Sequence, residues 1–174
     1  VQAQQGAAAP EWRVYGGDPG FTRYSLLDQI DGSNVGNLQI VWEWISSDSE
    51  IQAKHPENAQ IQSATYFQCT PLMIDGVLYG TTCLGNAFAL DAATGEPVWN
   101  FVTGSYKSGR PPNLGYINRG LGFWQRGTEK RLFMITSDSY LFAFDPETGT
   151  PVETFGDTGS VDTVDYVPRL HRAR

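Results

Sequence analysis

The chain has 174 residues, 40% hydrophobic and 13% aromatic, which is enough apolar side chain to pack a domain and too much for a disordered chain. Its 12 basic and 19 acidic residues give a net charge of −7 with no Lys/Arg cluster. That balance lacks the positive footprint that phosphate backbones require and argues against nucleic acid as a partner.

The opening VQAQQGAAAP, 1–10, is uncharged and built of small residues. Val1-Gln2-Ala3 has the form of a signal-peptidase site, with small residues at its first and third positions. Residues 1–10 therefore read as a signal-peptide remnant or a disordered terminus, and a periplasmic location is expected. An arm follows over 11–44. Its 21–30 stretch is too polar and turn-rich for strands, and it ends in VWEW at 41–44. Residues 45–68 read as a long loop with no clear secondary structure.

The first structured unit spans 69–101: CTPLMI, a DG turn, VLYGTT, NAFALD, an AATG turn and PVWNF. A two-residue turn at Asp75-Gly76 would set Ile74 opposite Val77 and Cys69 opposite Thr82, leaving Cys83 on the other face of the sheet. Free thiols are therefore expected at Cys69 and Cys83. A second long loop, 102–119, leads to the second unit, 120–155: GLGFW, a QRGTEK turn, RLFMIT, YLFAFD, PETG and PVETF.

The two units are copies. Residues 76–101 and 130–155 align without a gap and share 10 identities in 26. Asp91 and Asp145 are placed to accept backbone hydrogen bonds within the turns they open, and Gly95 and Gly149 to supply the positive φ that closes them. Trp99 and Phe101 share one strand face and can pack on a neighbouring sheet, with Ala89 small beneath it. In the second copy Glu153 replaces the tryptophan. Four strands per unit with no helical period describe an antiparallel blade. VWEW matches the VWNF of 98–101, so it reads as the last strand of a further blade. The expected fold is an all-β, β-propeller fragment of about two four-stranded antiparallel blades plus an N-terminal closing strand. The terminal blade faces are expected to be exposed and apolar, with Trp42, Trp44 and Trp99 contributing most.

In a propeller the innermost strands line a central channel. Gln68 stands immediately before the first strand of one unit and Arg119 immediately before that of the other, each at the end of a long loop. Loops of that length are more often functional than idle. An arginine there suits bidentate capture of a carboxylate or phosphate, and a structural salt bridge is the equal alternative. His55 in AKHPEN and His171 in RLHRAR belong to no ligand cluster, and Asp138 and Asp165 fit turns better than general bases.

The tandem AxDxxTGxxxW phrase, the opening EWRVYGGDPGFTRYSLLDQIDGSNVGNLQIVWEW, the run TPLMIDGVLYGTT and the stretch NRGLGFW together resemble the N-terminal part of a quinoprotein dehydrogenase dependent on pyrroloquinoline quinone. The resemblance implies an eight-bladed propeller that oxidises an alcohol, sugar or polyol to the carbonyl and passes electrons to a respiratory quinone or cytochrome. It assigns Arg119 to the cofactor carboxylates. It also assigns Gln68 to a cofactor-contacting position usually held by glutamate. Calcium is implied as well, but its ligands and the family's catalytic aspartate resemble nothing in this stretch, so the stretch alone is expected to be inactive. Asn113-Leu114 stands where methanol and ethanol dehydrogenases carry adjacent cysteines, and TFGDTGSVD resembles the sugar and polyol branch. Two other readings compete: a non-catalytic propeller scaffold of the outer-membrane assembly type, and a small carbohydrate-binding β module. The NRG arginine favours the enzyme over the scaffold, and the unpaired VWEW strand argues against a closed module.

Overall fold

A computed structural model describes residues 11–112 and 114–166. The expectations placed on 1–10, Asn113 and His171 lie outside those residues. Two antiparallel four-stranded sheets account for all the strands among the described residues. The first is β1 (Leu72–Ile74), β2 (Val77–Thr81), β3 (Ala87–Asp91) and β4 (Pro97–Phe101), in that order. The second is β5 (Gly122–Arg126), β6 (Glu129–Ile135), β7 (Tyr140–Phe144) and β8 (Ser160–Asp162).

Local chemistry sets the register. Asp75 and Gly76 take φ of 50° and 80°, the two left-handed residues of a tight hairpin, and Ile74 faces Val77 as the turn demands. The Asp91 carboxylate accepts from the Ala93 N–H at 3.0 Å and the Thr94 N–H at 2.8 Å, and Asp145 repeats this with Glu147 and Thr148 at 2.8 and 3.0 Å. Thr94, through its N–H and hydroxyl, holds the Asp91 carboxyl below the usual range. A lowered pKa contributes stability above the ordinary value, near pH 4, and loses it as pH falls through the folded-state value. Asp91→Asn should therefore flatten the acid limb of stability. Comparing urea midpoints at pH 7 and pH 3 checks this, and an unchanged limb would refute it.

One apolar core lies between the two sheets. Leu72, Ile74, Tyr79, Ala87 and Ala89 meet Leu121, Leu132, Met134 and Phe144, with Trp99, Phe101, Phe123 and Phe142 packed at its margin. Ala89 sits opposite Trp99 with no exposed surface, so its small side chain is what admits the indole. The indole lies flat on Gly149 of the next blade, where any Cβ would fall inside the ring, and its N–H donates to the Pro146 carbonyl at 2.8 Å. Phe101 meets Phe142 and Phe144 edge-on at 5.8 and 5.0 Å.

Residues 41–44 repeat this arrangement one blade earlier. Trp42 lies on Gly95 and donates to the Ala92 carbonyl at 3.3 Å, and Trp44 packs on Phe88 at 4.4 Å. Its expected strand ladder is absent among the described residues, and the segment is held through its own side chains, Trp42 and Trp44. Trp42, Trp44 and Trp99 are all half-buried, and around residues 38–45 the exposed apolar surface comes instead from Leu38, Ile40, Val41 and Ile45, at 62–84%.

Two further expectations need correction. The fourth strand of the second unit is not PVETF. Phe144 bridges Pro151 and the Val152 N–H donates to Ala143, but the chain then leaves the sheet and returns at β8, where the Gly159 carbonyl accepts from Ala143. Glu153 offers no indole to lock that segment outward, and Phe155 turns back onto Phe133 at 5.6 Å. Second, helices are present in the supposed loop 45–68: α1 (Asp48–Lys54) and α2 (Ala59–Gln62). No helix among the described residues is long and apolar enough to cross a membrane.

Candidate functional site

The two long connections gather at the end of the blades where β1 and β5 begin. In 45–68, Asn58 caps α2 by accepting from the Gln60 and Ile61 N–H groups at 3.1 and 3.2 Å. Gln52 then ties α1 to the Ile61 and Ala64 carbonyls, each at 3.2 Å. The buried side chains of this hairpin, Ile51, Ile61 and Ala64, close over Cys83 and Leu84 together with Tyr116 of the second connection. The turn 82–86 is thus gripped from two sides. Asp48 accepts from Thr82 Oγ1, the Leu84 N–H and Asn86 Nδ2, while Thr103 Oγ1 and Ser105 Oγ donate to the Gly85 and Leu84 carbonyls.

Gln68 and Arg119 both emerge exposed, just ahead of β1 and β5. Their approaches are joined by a backbone bond, the Thr70 N–H donating to the Arg119 carbonyl at 3.1 Å. Asn118 reinforces the seam: its Oδ1 accepts from Thr81 Oγ1 at 3.0 Å and its Nδ2 donates to the Ile135 carbonyl at 3.2 Å. Arg119 lines an open cleft of about 400 Å³ with Cys83, Gly85, Asn118, Thr136 and Ser137. Gln68 is not among the residues lining that cleft. Among the described residues the lining carries one cation, several neutral polar groups and no carboxylate. Burial, helped by the nearby Asp48 charge, pushes the Cys83 thiol up to about 11, so it presents a neutral wall at physiological pH.

Cys69 and Cys83 are both free thiols. Cys69 lies just before β1, whose register with β2 is the one the Asp75-Gly76 turn sets, and its Sγ accepts from the Thr81 N–H at 3.2 Å. His55 lies beside Glu57 and the Tyr106 ring, away from the cleft lining. Asp138 accepts from Thr136 Oγ1 in the turn between β6 and β7, and Asp165 lies in a single 3-10 turn, Thr163–Tyr166. Among the described residues no three His, Cys, Asp or Glu side chains converge as metal ligands would. Asp48, Asn118 and the turn 82–86 were not singled out from sequence. The one usable signal was the acidic head and basic end of DSEIQAK, a helix signature.

Comparison with known proteins agrees with this architecture. The family model described as "PQQ: Glucose/ethanol/alcohol dehydrogenase, beta-propeller domain" matches residues 12–174. The dehydrogenase subunit of an alcohol dehydrogenase (quinone) from Gluconacetobacter polyoxogenes is 34% identical over 94% of this chain and 21% of its own length. A quinoprotein glucose dehydrogenase from Gluconobacter oxydans is 27% identical over 88% of this chain and 20% of its own. The crystal structure of the quinohemoprotein alcohol dehydrogenase from Comamonas testosteroni superposes with a TM-score of 0.69 at 25% identity, covering 92% of this chain and 20% of that one. The chain thus spans about a fifth of the length of the relatives it matches. With two consecutive blades, their interlocking tryptophans and a family match over nearly its whole length, the chain belongs to the glucose/ethanol/alcohol dehydrogenase β-propeller family of quinoproteins.

Proposed function

We propose that this chain forms part of the cofactor-binding wall of a pyrroloquinoline quinone-dependent dehydrogenase, acting in the periplasm on an alcohol, sugar or polyol and passing electrons to a respiratory quinone or cytochrome. The observation that supports it best is the lining of the cleft: one guanidinium, the Asn118 amide and the Ser137 hydroxyl, with no carboxylate among the described lining residues and the neighbouring Asp138 engaged by Thr136 Oγ1. That set fits a planar ligand bearing carboxylates, because Arg119 can pair bidentately with one of them while neutral groups solvate the rest. Gln68, on the neighbouring approach, hydrogen-bonds as a neutral amide and leaves the site's positive balance intact. The bound quinone supplies the redox chemistry, and the protein binds and orients it. Calcium and the general base are assigned to residues beyond those described here.

The test is reconstitution of the intact apoprotein with the quinone and calcium, followed by dye reduction with ethanol, a polyol and glucose as donors. Quinone-dependent reduction is expected with at least one donor, and quinone binding with no reduction by any of them would overturn the reading. In the same assay Gln68→Ala should weaken quinone binding by about 0.5–1.5 kcal/mol, the range for a neutral hydrogen bond. A loss larger than that of Arg119→Ala would reverse the assigned roles.

A further inference from the structure

Asp48 is a carboxylate withdrawn from water where both long connections meet the first blade. It is 4% exposed, and its oxygens accept from Thr82 Oγ1 at 2.6 Å, the Leu84 N–H at 3.0 Å and Asn86 Nδ2 at 3.0 Å. All three donors belong to one turn, 82–86, between β2 and β3. Among the described residues no cation pairs with it, and burial pushes its carboxyl above the usual range against the pull of those donors. A charge kept under such conditions is costly, so its hydrogen bonds must hold something in place. Asn86 shows the effect: its Nδ2 is committed to Asp48, and its Oδ1 is left buried with no donor.

We propose that Asp48 is a positioning residue for the cleft: it clamps the turn 82–86 so that Cys83 and Gly85 form the wall facing a ligand beside Arg119. The function assigned to that wall rests on the quinone reading above. The opposite grip on the turn, from Thr103 and Ser105 to the Gly85 and Leu84 carbonyls, holds only backbone acceptors. From outside the turn, Asp48 takes the Thr82 hydroxyl, the Leu84 N–H and the Asn86 amide, with Ser47 Oγ a second and longer acceptor for Asn86 Nδ2 at 3.4 Å. Leu84, 1% exposed, is seated among the apolar side chains of both connections and cannot substitute for that directional hold.

The test uses the intact protein and two readouts. The first is the rate at which Ellman's reagent modifies Cys83, located by peptide mass mapping. The second is the affinity for pyrroloquinoline quinone. Asp48→Ala should label Cys83 about tenfold faster and bind the quinone about tenfold more weakly, the scale of one charge-assisted hydrogen bond. Asp48→Asn keeps the side chain's shape but leaves a single acceptor oxygen for the Thr82 hydroxyl and the Leu84 N–H, so it should shift both quantities in the same direction as alanine with the side-chain volume unchanged. If Asp48→Ala does not fold, Thr82→Val removes one of the clamp's donors and should change both quantities in the same direction. Unchanged labelling, faster labelling with unaltered affinity, or wild-type values of both in Asp48→Asn would each overturn the proposal. A wild-type protein that binds no quinone would instead remove the quinone reading, while the labelling arm still decides whether Asp48 holds the turn.

Discussion

Arg119→Ala in the intact protein is expected to weaken pyrroloquinoline quinone binding by roughly 1.5–3 kcal/mol, about 10- to 100-fold, the range for hydrogen bonds to a charged group. Among the described residues the Arg119 side chain makes no hydrogen bond or ion pair, so it is not committed to holding the fold. Its contribution to the fold is the backbone carbonyl that accepts from Thr70, and alanine keeps that bond. The substitution should therefore separate binding from stability: affinity falls while the urea midpoint holds. Arg119→Lys should lie between, because an ammonium retains the charge but loses the planar fork. Fluorescence titration of the apoprotein measures all three. Wild-type affinity in Arg119→Ala would return this arginine to a solvated loop end.

The second large effect is structural. Trp99→Ala should destabilise the protein by about 3–5 kcal/mol, the usual cost of truncating a packed tryptophan. The loss combines apolar area against Tyr79 and Gly149 with the indole bond to the Pro146 carbonyl. Gly149 has φ of 69° and no room for a Cβ beneath the ring. Gly149→Ala should thus be severe in the wild type, yet cost only about 1–2 kcal/mol, the left-handed backbone penalty, once Trp99 is already alanine. That coupling is read from a double-mutant cycle of urea unfolding. Additive effects would mean that the indole and the glycine do not interlock.

Much of the fold was legible because turn chemistry is local. Asp75-Gly76, Asp91 with Gly95 and Asp145 with Gly149 announce their turns in adjacent letters, and β4 falls where PVWNF placed it. β8 was misplaced because Glu153 occupies the position where its repeat partner carries the locking tryptophan, and the signal for the detour lay in GDTG, whose Gly156, Thr158 and Gly159 all take positive φ. The helix α1 escaped notice because seven residues with one buried aliphatic, Ile51, show no periodicity. Arg119 could be found from its place at the end of a loop before a strand. Asp48 could not, since its burial depends on a turn that begins 34 positions later and becomes its neighbour only after folding.

The bonds from Thr70 to Arg119 and from Asn118 to Thr81 and Ile135 have a consequence for assembly. They join one blade to the next at the edge of the Arg119 cleft. A ligand bound there favours the seated arrangement of both blades, and by mass action the seated blades favour the ligand to the same degree. On the proposed reading of the cleft, cofactor loading would then act as a checkpoint on maturation: a protein with misdocked blades would discriminate against its own cofactor, and the loaded protein would resist proteolysis first at this seam.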